Sequence, residues 1–291
     1  MGGVEFFTDR SIESNPYAMR PLRFWVSVIL VFCMALGYLF FSAPEPLAAV
    51  DAADNSFSTE EAMALLAYEN DVTRTLYTKA IVGAGKAQGW MFSEDWADPD
   101  VVAGPLPALF LRGIAEELNS GEVPLGLYLG SDFPIESSNQ FQGRQAEIFT
   151  EMRERLEPAY FFDQVTHETI GMFPDFASAP ACVTCHNEHE RTSKTDWELG
   201  DLMGATTWSY PGDSVTTDEV VSMLQAYRQG VANVWSRYLL EIEDMDASMR
   251  PEIGSSWPSQ GAYIPSGRAF QDSVAELASP HLLAAILEAH E

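Results

Sequence analysis

The chain has 291 residues, of which 46% are hydrophobic and 12% aromatic, so it can form a substantial core and disorder is not expected. Its 43 acidic residues outnumber its 16 basic ones and give a formal net charge of −27. This charge repels nucleic acid and anionic lipid headgroups, so we expect no nucleic-acid partner. It attracts basic protein partners at low salt, although it also serves simply to keep a protein soluble.

An uncharged apolar segment, "FWVSVILVFCMALGYLFFSA", occupies residues 24–43. It is long enough to cross ~30 Å of hydrocarbon, which predicts a transmembrane helix. A cleaved signal peptide is the alternative, but the apolar run exceeds the usual h-region of ~7 to 15 residues. Arginines precede the segment, and residues 44–73 contain no Lys or Arg, so the positive-inside rule predicts a cytoplasmic N-terminal segment at 1–23. We therefore expect a single-pass protein of the inner membrane with its bulk in the periplasm.

Two helices are predicted after the membrane segment. Residues 44–57 contain two prolines and no periodicity, which indicates a linker. Ser58 and Glu61 form a capping-box pattern, and helical spacing of apolar residues then predicts a long helix over 58–88. The run "GPLPALFLRGIAEELNS" begins with prolines and turns amphipathic, which predicts a second helix over 107–118.

The middle of the chain has strand patterns. Alternating leucines at 125–129 predict one strand. The run "AYFFDQVTHETIGMFPD" predicts two strands around a polar turn at 164–168, and residues 204–211 predict another strand. These segments together predict a small antiparallel sheet flanked by helices, an α+β fold.

The C-terminal quarter is predicted to be helical. Thr216 and Glu219 form a second capping-box pattern, and apolar residues at helical spacing predict a helix over 216–246. A Pro/Gly/Ser-rich stretch follows it, and two short helices then end the chain. We predict a helical C-terminal extension over 214–291.

The sequence "CVTCHNEH" contains two of the three cysteines in the chain, Cys182 and Cys185, followed at once by His186. C-x-x-C-H is the attachment signature of a c-type haem. The two thiols add to the haem vinyl groups as thioethers, and the histidine is the proximal iron ligand. A redox pair needs no histidine, a disulfide rarely has this spacing, and a zinc site would need further ligands. We therefore expect one covalently bound haem c per chain.

The run "ACVTCHNEHERTSKTDWELGDLMGATTW", residues 181–208, resembles the signature of the PAS-like, Tll-type c-type haem-binding domain family. "GPLPALFL" and "YLGSDFPI" resemble its upstream motifs. The resemblance implies a PAS-like antiparallel sheet with a long N-terminal helix enclosing one haem, and we assign the haem domain to 58–213. It also implies that Lys194, Asp196 and Trp197 order a loop over the haem, with Lys194 near a propionate. A solvated turn is the alternative for these three residues.

Candidates for the sixth iron ligand can be ranked by chemistry. Some relatives use a cysteine of the N-terminal helix, but Cys33 lies here in the predicted transmembrane segment. Met172 is the leading candidate because a thioether raises the redox potential, and His167 or Tyr77 are the alternatives. His189 is better suited to bind a propionate or the backbone. For each candidate, a packed or surface role is the competing interpretation.

These features predict a membrane-anchored periplasmic monohaem c-type cytochrome that passes single electrons, alone or as a subunit of a respiratory or photosynthetic complex. The expected redox partner is a basic soluble cytochrome or a larger membrane complex. A haem-based redox or gas sensor is one alternative, and a structural accessory subunit is another. We predict no enzymatic activity, because no catalytic triad, phosphate loop or paired-carboxylate site is recognisable.

Overall fold

The computed structural model describes residues 19–42, 56–248, 250–257 and 264–288. The chain forms two compact units, Met1–Val50 and Asp51–Glu291. Most of the predicted cytoplasmic segment 1–23 and most of the predicted linker 44–57 lie outside the described residues. The predicted division into a haem domain at 58–213 and an extension at 214–291 stays a prediction, although both segments belong to the second unit.

The described part of the first unit is helix α1 (Met19–Phe41). No helix in the part of the chain that the structure describes is long and apolar enough to cross a membrane. The predicted transmembrane helix at 24–43 is therefore wrong, and so is the single-pass inner-membrane localisation derived from it. The prediction relied on the length of the uncharged run, whereas α1 itself includes Arg20 and Arg23 and ends two residues before that run does.

The second unit contains helices joined by short strands and loops. Its helices are α2 (Thr59–Leu76), α3 (Ala84–Ala87), α4 (Pro107–Asn119), α5 (Gly143–Arg155), α6 (Pro180–Glu188), α7 (Thr217–Asp244) and α8 (Gly267–Glu288). Its strands are β1 (Ser56–Ser58), β2 (Phe92–Ser93), β3 (Gly104–Pro105), β4 (Gly126–Gly130), β5 (Ala159–Asp163), β6 (Glu168–Phe176), β7 (Leu202–Pro211), β8 (Ser214–Thr216), β9 (Ile253–Gly254) and β10 (Ile264–Pro265). A π-helical segment, Tyr77–Gly83, joins α2 to α3.

Both predicted capping boxes are confirmed. The Glu61 backbone N–H donates to Ser58 Oγ at 3.1 Å, and the Ser58 N–H donates to Glu61 Oε2 at 2.7 Å, which starts α2. Thr216 and Glu219 make the same reciprocal bonds at the start of α7. Each box satisfies two N–H groups that have no partner within the first helical turn.

The main sheet has four antiparallel strands in the order β4-β7-β6-β5. The predicted strands are confirmed, with β5 and β6 joined by a polar turn at which His167 has a left-handed backbone, φ 59°. The PAS-like sheet is not confirmed: no such sheet is found among the described residues. The remaining strands pair elsewhere, as β1-β8, β2-β3 and β9-β10, and do not extend the main sheet. The predicted fold class is corrected to a mixed helix and sheet fold with small sheets.

The largest core lies between α2, α4, α7 and α8 and is aromatic. Tyr77 stacks on Phe110 with ring centroids 4.2 Å apart, and Trp235 stacks on Phe270 at 4.5 Å. Phe270 belongs to α8, so the end of the chain is part of this core. We refer to these side chains as the aromatic core.

The two short terminal helices predicted from the sequence are wrong, because α8 continues through Pro280. A proline removes one backbone donor and disfavours a helix interior. Ala278 and Leu282, on either side of Pro280, are buried, and this packing holds the helix together across the proline.

Candidate functional site

Helix α6 carries the C-x-x-C-H residues. Pro180 is in its first turn, where a missing N–H has no cost and the fixed φ favours the helix. Cys182 is three residues from Cys185 and four from His186, so one helical face presents all three side chains. Both cysteines are free thiols and both are half-buried. The structure therefore brings together the three residues that the motif predicted to act together.

The segment after α6 fixes its orientation. Asn187 Nδ2 donates to the Trp197 carbonyl at 3.0 Å, and the Trp197 N–H donates to Asn187 Oδ1 at 2.8 Å. The Trp197 side chain is buried and packs with Met203 and Cys182. Trp197 thus supports α6 from the protein interior.

A cavity of about 660 Å³ lies against α6. Cys182, Cys185 and His186 line it, together with residues of α2, the π-helical segment, α4, β4 and β7. Its volume is within the range of ~300 to 1,000 Å³ typical of ligand sites. We refer to it as the α6 cavity.

Helix α2, the π-helical segment and α3 form one continuous helix. One face of this helix forms a wall of the cavity, through Arg74, Thr78, Val82 and Lys86. In an α-helix, residues four apart are displaced by about 40° around the axis, so three such steps would turn Lys86 about 120° away from Arg74. The π-helical segment winds more residues into each turn and offsets this displacement. The local distortion of the helix is what keeps these four residues on one wall.

His186 is held as a neutral imidazole. Burial lowers its pKa, the Asp175 carboxylate partly counteracts this, and the neighbouring His189 lowers it further. Its Nδ1 atom is buried and has no hydrogen-bond partner among the described residues. A buried polar atom without a partner is costly, so this ring is suited to binding something that the protein itself does not supply.

The Cys185 thiol is held in its protonated form. Burial raises its pKa, the Glu94 carboxylate raises it further, and the Lys86 ammonium lowers it. No group of three or more His, Cys, Asp or Glu side chains that could hold a metal ion occurs in the described part of the chain.

Ion pairs surround the cavity. Arg74 bonds to Asp175 through Nη1 and Oδ1. Arg191 bonds through Nη2 to Glu94 Oε2 at 2.7 Å and through Nη1 to Glu136 Oε2 at 2.9 Å. His189, Glu94, Arg191 and Glu136 therefore connect three loops, since His189 Nε2 also lies 2.9 Å from Glu94 Oε1.

The three candidates for a sixth ligand lie elsewhere. Met172 is fully buried in a separate hydrophobic cluster with Phe149 and Ile170. His167 is exposed on the turn between β5 and β6. The Tyr77 hydroxyl donates to the Pro105 carbonyl at 2.6 Å, and burial raises its pKa well above the ordinary value, which disfavours a phenolate. None of the three lines the α6 cavity as the structure describes it.

Lys194 is also turned away from the cavity. Its Nζ bonds to Asp196 and lies 4.5 Å from the centroid of the Trp197 ring. It does not line the α6 cavity among the described residues, and neither does Trp197. Trp197 orders the loop by packing, and Lys194 covers its ring.

Sequence reasoning missed the charged residues that line the cavity, among them Arg74, Glu94, Arg112 and Arg191. Glu94 and Arg191 are 97 positions apart, and no local sequence pattern predicts that they pair. A weak signal existed for Arg74 and Lys86, because they are basic positions on a predicted helix in a chain with few basic residues. The sequence predicted that His189 would bind a propionate or the backbone. Its Nδ1 accepts a hydrogen bond from the Arg191 N–H at 3.1 Å, and its Nε2 lies beside Glu94.

Comparison with known proteins identifies one family. The model of the Tll0287-like family matches residues 49–211, which include β1 to β7, the α6 cavity and the C-x-x-C-H residues. No curated protein and no solved structure matched the chain. Because the match covers more than half of the 291 residues, the chain belongs to the Tll0287-like family.

Proposed function

We propose that the chain binds one haem c in the α6 cavity and passes single electrons. The observation that carries this proposal is that one helical face places Cys182, Cys185 and His186 on the wall of a ligand-sized cavity. When bound, haem supplies a one-electron iron centre whose potential the surrounding protein tunes. The Tll0287-like family points to a haem-related domain, in agreement with this proposal.

The residues fit such a group. The thiols of Cys182 and Cys185 would form the thioether bonds, and His186 would bind the iron. The neutral imidazole is the form that ligates a metal, and burial favours that form of His186. Several leucines and Phe92 supply apolar walls, which suit the apolar faces of a porphyrin ring.

A thioredoxin-like redox pair is less well supported. The C-x-x-C does begin a helix that follows a strand, β6, as that chemistry requires. A redox pair, however, needs no histidine, whereas here His186 follows the second cysteine directly and lines the same cavity. The helix therefore favours attachment of a group over thiol exchange.

The first test is covalent attachment. The full chain, produced in cells that mature c-type haem, should run on a denaturing gel as a haem-stained band near 32.2 kDa. The double variant Cys182→Ala, Cys185→Ala should lose the stain. Cys33→Ala, which removes the third cysteine, is the matched control and should keep it. An unstained wild-type band would favour the structural accessory role instead.

A haem-based sensor is the second candidate, and the cavity lining favours it. Among the lining residues described, His189 and Met203 have side chains suited to a sixth iron ligand. Both ring nitrogens of His189 are already engaged, and Met203 packs with Trp197. A weakly held sixth position is what a gas sensor needs, whereas an electron carrier benefits from two strong ligands.

Carbon monoxide distinguishes the two candidates. Added to the reduced protein at neutral pH, it should leave the spectrum of an electron carrier nearly unchanged. Rapid and complete formation of a carbon monoxide complex would establish the sensor. Met172→Ala and Met203→Ala, compared in the same assay, would show whether either thioether occupies the sixth position.

The partner of the electron carrier should be a basic protein. The net charge of −27 favours electrostatic docking, which salt screens over about 10 Å at 0.1 M. Electron exchange with a basic soluble cytochrome should therefore slow steeply as salt rises to physiological strength. A rate independent of salt would instead indicate exchange within a fixed complex.

A further inference from the structure

Four cationic side chains line the α6 cavity, namely Arg74, Lys86, Arg112 and Arg191. Two of them have carboxylate partners within the protein, since Arg74 pairs with Asp175 and Arg191 pairs with Glu94 and Glu136. Across the described residues, neither Lys86 nor Arg112 has a carboxylate within ion-pair distance. In a chain with 43 acidic residues, two cavity cations without acidic partners suggest that a ligand supplies the opposite charge.

The positions of these cations differ. Lys86 lines the cavity together with both cysteines, on the same helical wall as Arg74. Arg74 pairs with Asp175 of β6, the strand that precedes α6. Both therefore lie near the helix that carries the cysteines. Arg112 belongs to α4, which packs against α7 and β4, and its side chain is exposed where it lines the cavity.

The positions of the polar groups on haem favour one of the two cations without carboxylate partners, Lys86 and Arg112. Haem has its vinyl groups on one edge and its two propionates on the opposite edge, so cations beside the cysteines face the vinyl edge. The propionates are charged, so they would lie where water and an exposed guanidinium, such as that of Arg112, can both reach them. Arginine suits this task because its planar fork matches the two oxygens of a carboxylate.

We propose that Arg112 binds a carboxylate of the ligand in the α6 cavity, a haem propionate. This inference rests on the proposed function and assigns to Arg112 the contact that the sequence suggested for Lys194. Lys194 instead pairs with Asp196 over the Trp197 ring.

The first test uses the holoprotein with its covalently bound haem. Resonance Raman spectra contain propionate bending bands that respond to hydrogen bonding of the carboxylates. Arg112→Gln should shift these bands. Lys194→Gln and Arg268→Gln should leave them in place, because Arg268 is 91% exposed and pairs with Asp272 on α8. Unchanged bands in Arg112→Gln, or a shift in Lys194→Gln alone, would overturn the proposal.

The second test separates charge recognition from a structural effect. The full chain with Cys182→Ala and Cys185→Ala is titrated with iron protoporphyrin IX and with its dimethyl ester, which lacks the carboxylates. Adding Arg112→Gln should weaken binding of the free acid by roughly three- to tenfold and leave binding of the ester unchanged. Equal weakening of both compounds, or of neither, would contradict a carboxylate contact.

The two proposals fail in different ways. A wild-type protein without covalent haem refutes the proposed function, and the assignment of Arg112 with it. If the wild-type protein carries covalent haem but Arg112→Gln leaves the propionate Raman bands unchanged, the assignment of Arg112 alone is refuted. If the chain without its cysteines binds neither compound, the Raman result on the holoprotein decides.

Discussion

The continuous helix formed by α2, the π-helical segment and α3 packs against the aromatic core on one face and borders the α6 cavity on the other. Neighbouring residues of this helix therefore differ in burial. Tyr77 and Ile81 are fully buried against the aromatic core, whereas Thr78 is half-buried and Lys86 is exposed along the cavity. The core face meets flat rings that stack without gaps, which produces the density of a protein interior. The cavity face meets charged and polar groups that pair with each other and leave volume for a ligand. One helix can therefore contribute to a core and to a site when one of its faces is filled by packed side chains and the other borders a cavity.

The largest expected effect is loss of an aromatic ring from the core. Phe110→Ala should destabilise the chain by ~3 to 5 kcal/mol, because Phe110 is fully buried and stacks on Tyr77. Phe92→Ala, on the cavity side, should cost roughly half as much, because Phe92 is only half-buried and lines the cavity. Urea unfolding monitored by circular dichroism measures both. Equal losses would show that the cavity wall is packed as tightly as the core.

Removing one member of an ion pair should matter more in the core than at the cavity. Glu69 is fully buried, and Arg228 binds both of its oxygens, at 2.5 and 2.9 Å. Arg228→Ala leaves that carboxylate without its partner and should cost about 2 kcal/mol, a value reduced because Arg228 is half-exposed. Arg191→Ala removes pairs that water already reaches and should cost less than about 1 kcal/mol.

The same unfolding experiment checks this pair of variants. The double variant Glu69→Leu, Arg228→Met should recover much of the loss, because it removes the unpaired buried charge as well as its partner. A loss in Arg191→Ala as large as in Arg228→Ala would contradict the distinction between the two environments.

Overpacking should distinguish the two faces of the helix directly. Ile81→Phe inserts volume into the filled core and should cost ~1 to 3 kcal/mol. Thr78→Phe places the same ring in the cavity and should change the stability of the haem-free chain by about 0.5 kcal/mol or less. It should also reduce the yield of covalently bound haem, as measured by the gel stain. A Thr78→Phe protein with full haem content would show that the ligand does not occupy this part of the cavity.

The helix cap belongs to neither face, and its loss should cost less than the core substitutions. Thr216→Ala should cost about 1 kcal/mol through loss of the first hydrogen bond of α7. Glu219 provides a pH test of the same cap. The Thr216 backbone N–H holds the pKa of the Glu219 carboxyl below its ordinary value of 4.5, and the Thr216 hydroxyl adds to this effect.

The direction of the pH effect follows from that lowered pKa. The stabilisation by ionised Glu219 is fully present above the ordinary value of 4.5 and is lost as the pH falls through the lower value in the folded protein. The melting temperatures of the wild type and of Glu219→Gln should therefore differ at neutral pH and converge in acid. A difference that stays constant with pH would show that the carboxylate charge does not stabilise the cap.

Several elements followed from local patterns because their causes are local. The capping boxes at Ser58 and Thr216 lie within four residues each, and both helices begin where those residues predicted. The strands around 164–168 were recognisable because alternation and a polar turn act over the same short range. The helix α5 was missed, since its buried residues Ile148, Phe149 and Met152 make only a weak periodic pattern.

The prediction of two short terminal helices failed because it extended a local rule beyond its range. Pro280 predicted a break between two helices, but buried neighbours hold α8 together across it. Met172 as the sixth iron ligand stays a prediction, and its side chain on β6 lies in the cluster with Phe149 and outside the described lining of the cavity. Successive side chains of a strand point to opposite faces, so the residue type alone could not decide which side Met172 occupies.

The attachment motif could be read from the sequence, because three residues within five positions of one helix reach the same face whatever surrounds them. The helix caps and the family could be read in the same way, since their motifs are short and ordered along the chain. The charges around the motif became apparent from the folded chain, because Glu94, Arg112 and Arg191 come from segments far apart in the sequence. The π-helical segment Tyr77–Gly83 likewise had no local pattern that predicted it. Such properties depend on packing between distant segments, which leaves no periodic pattern in the sequence.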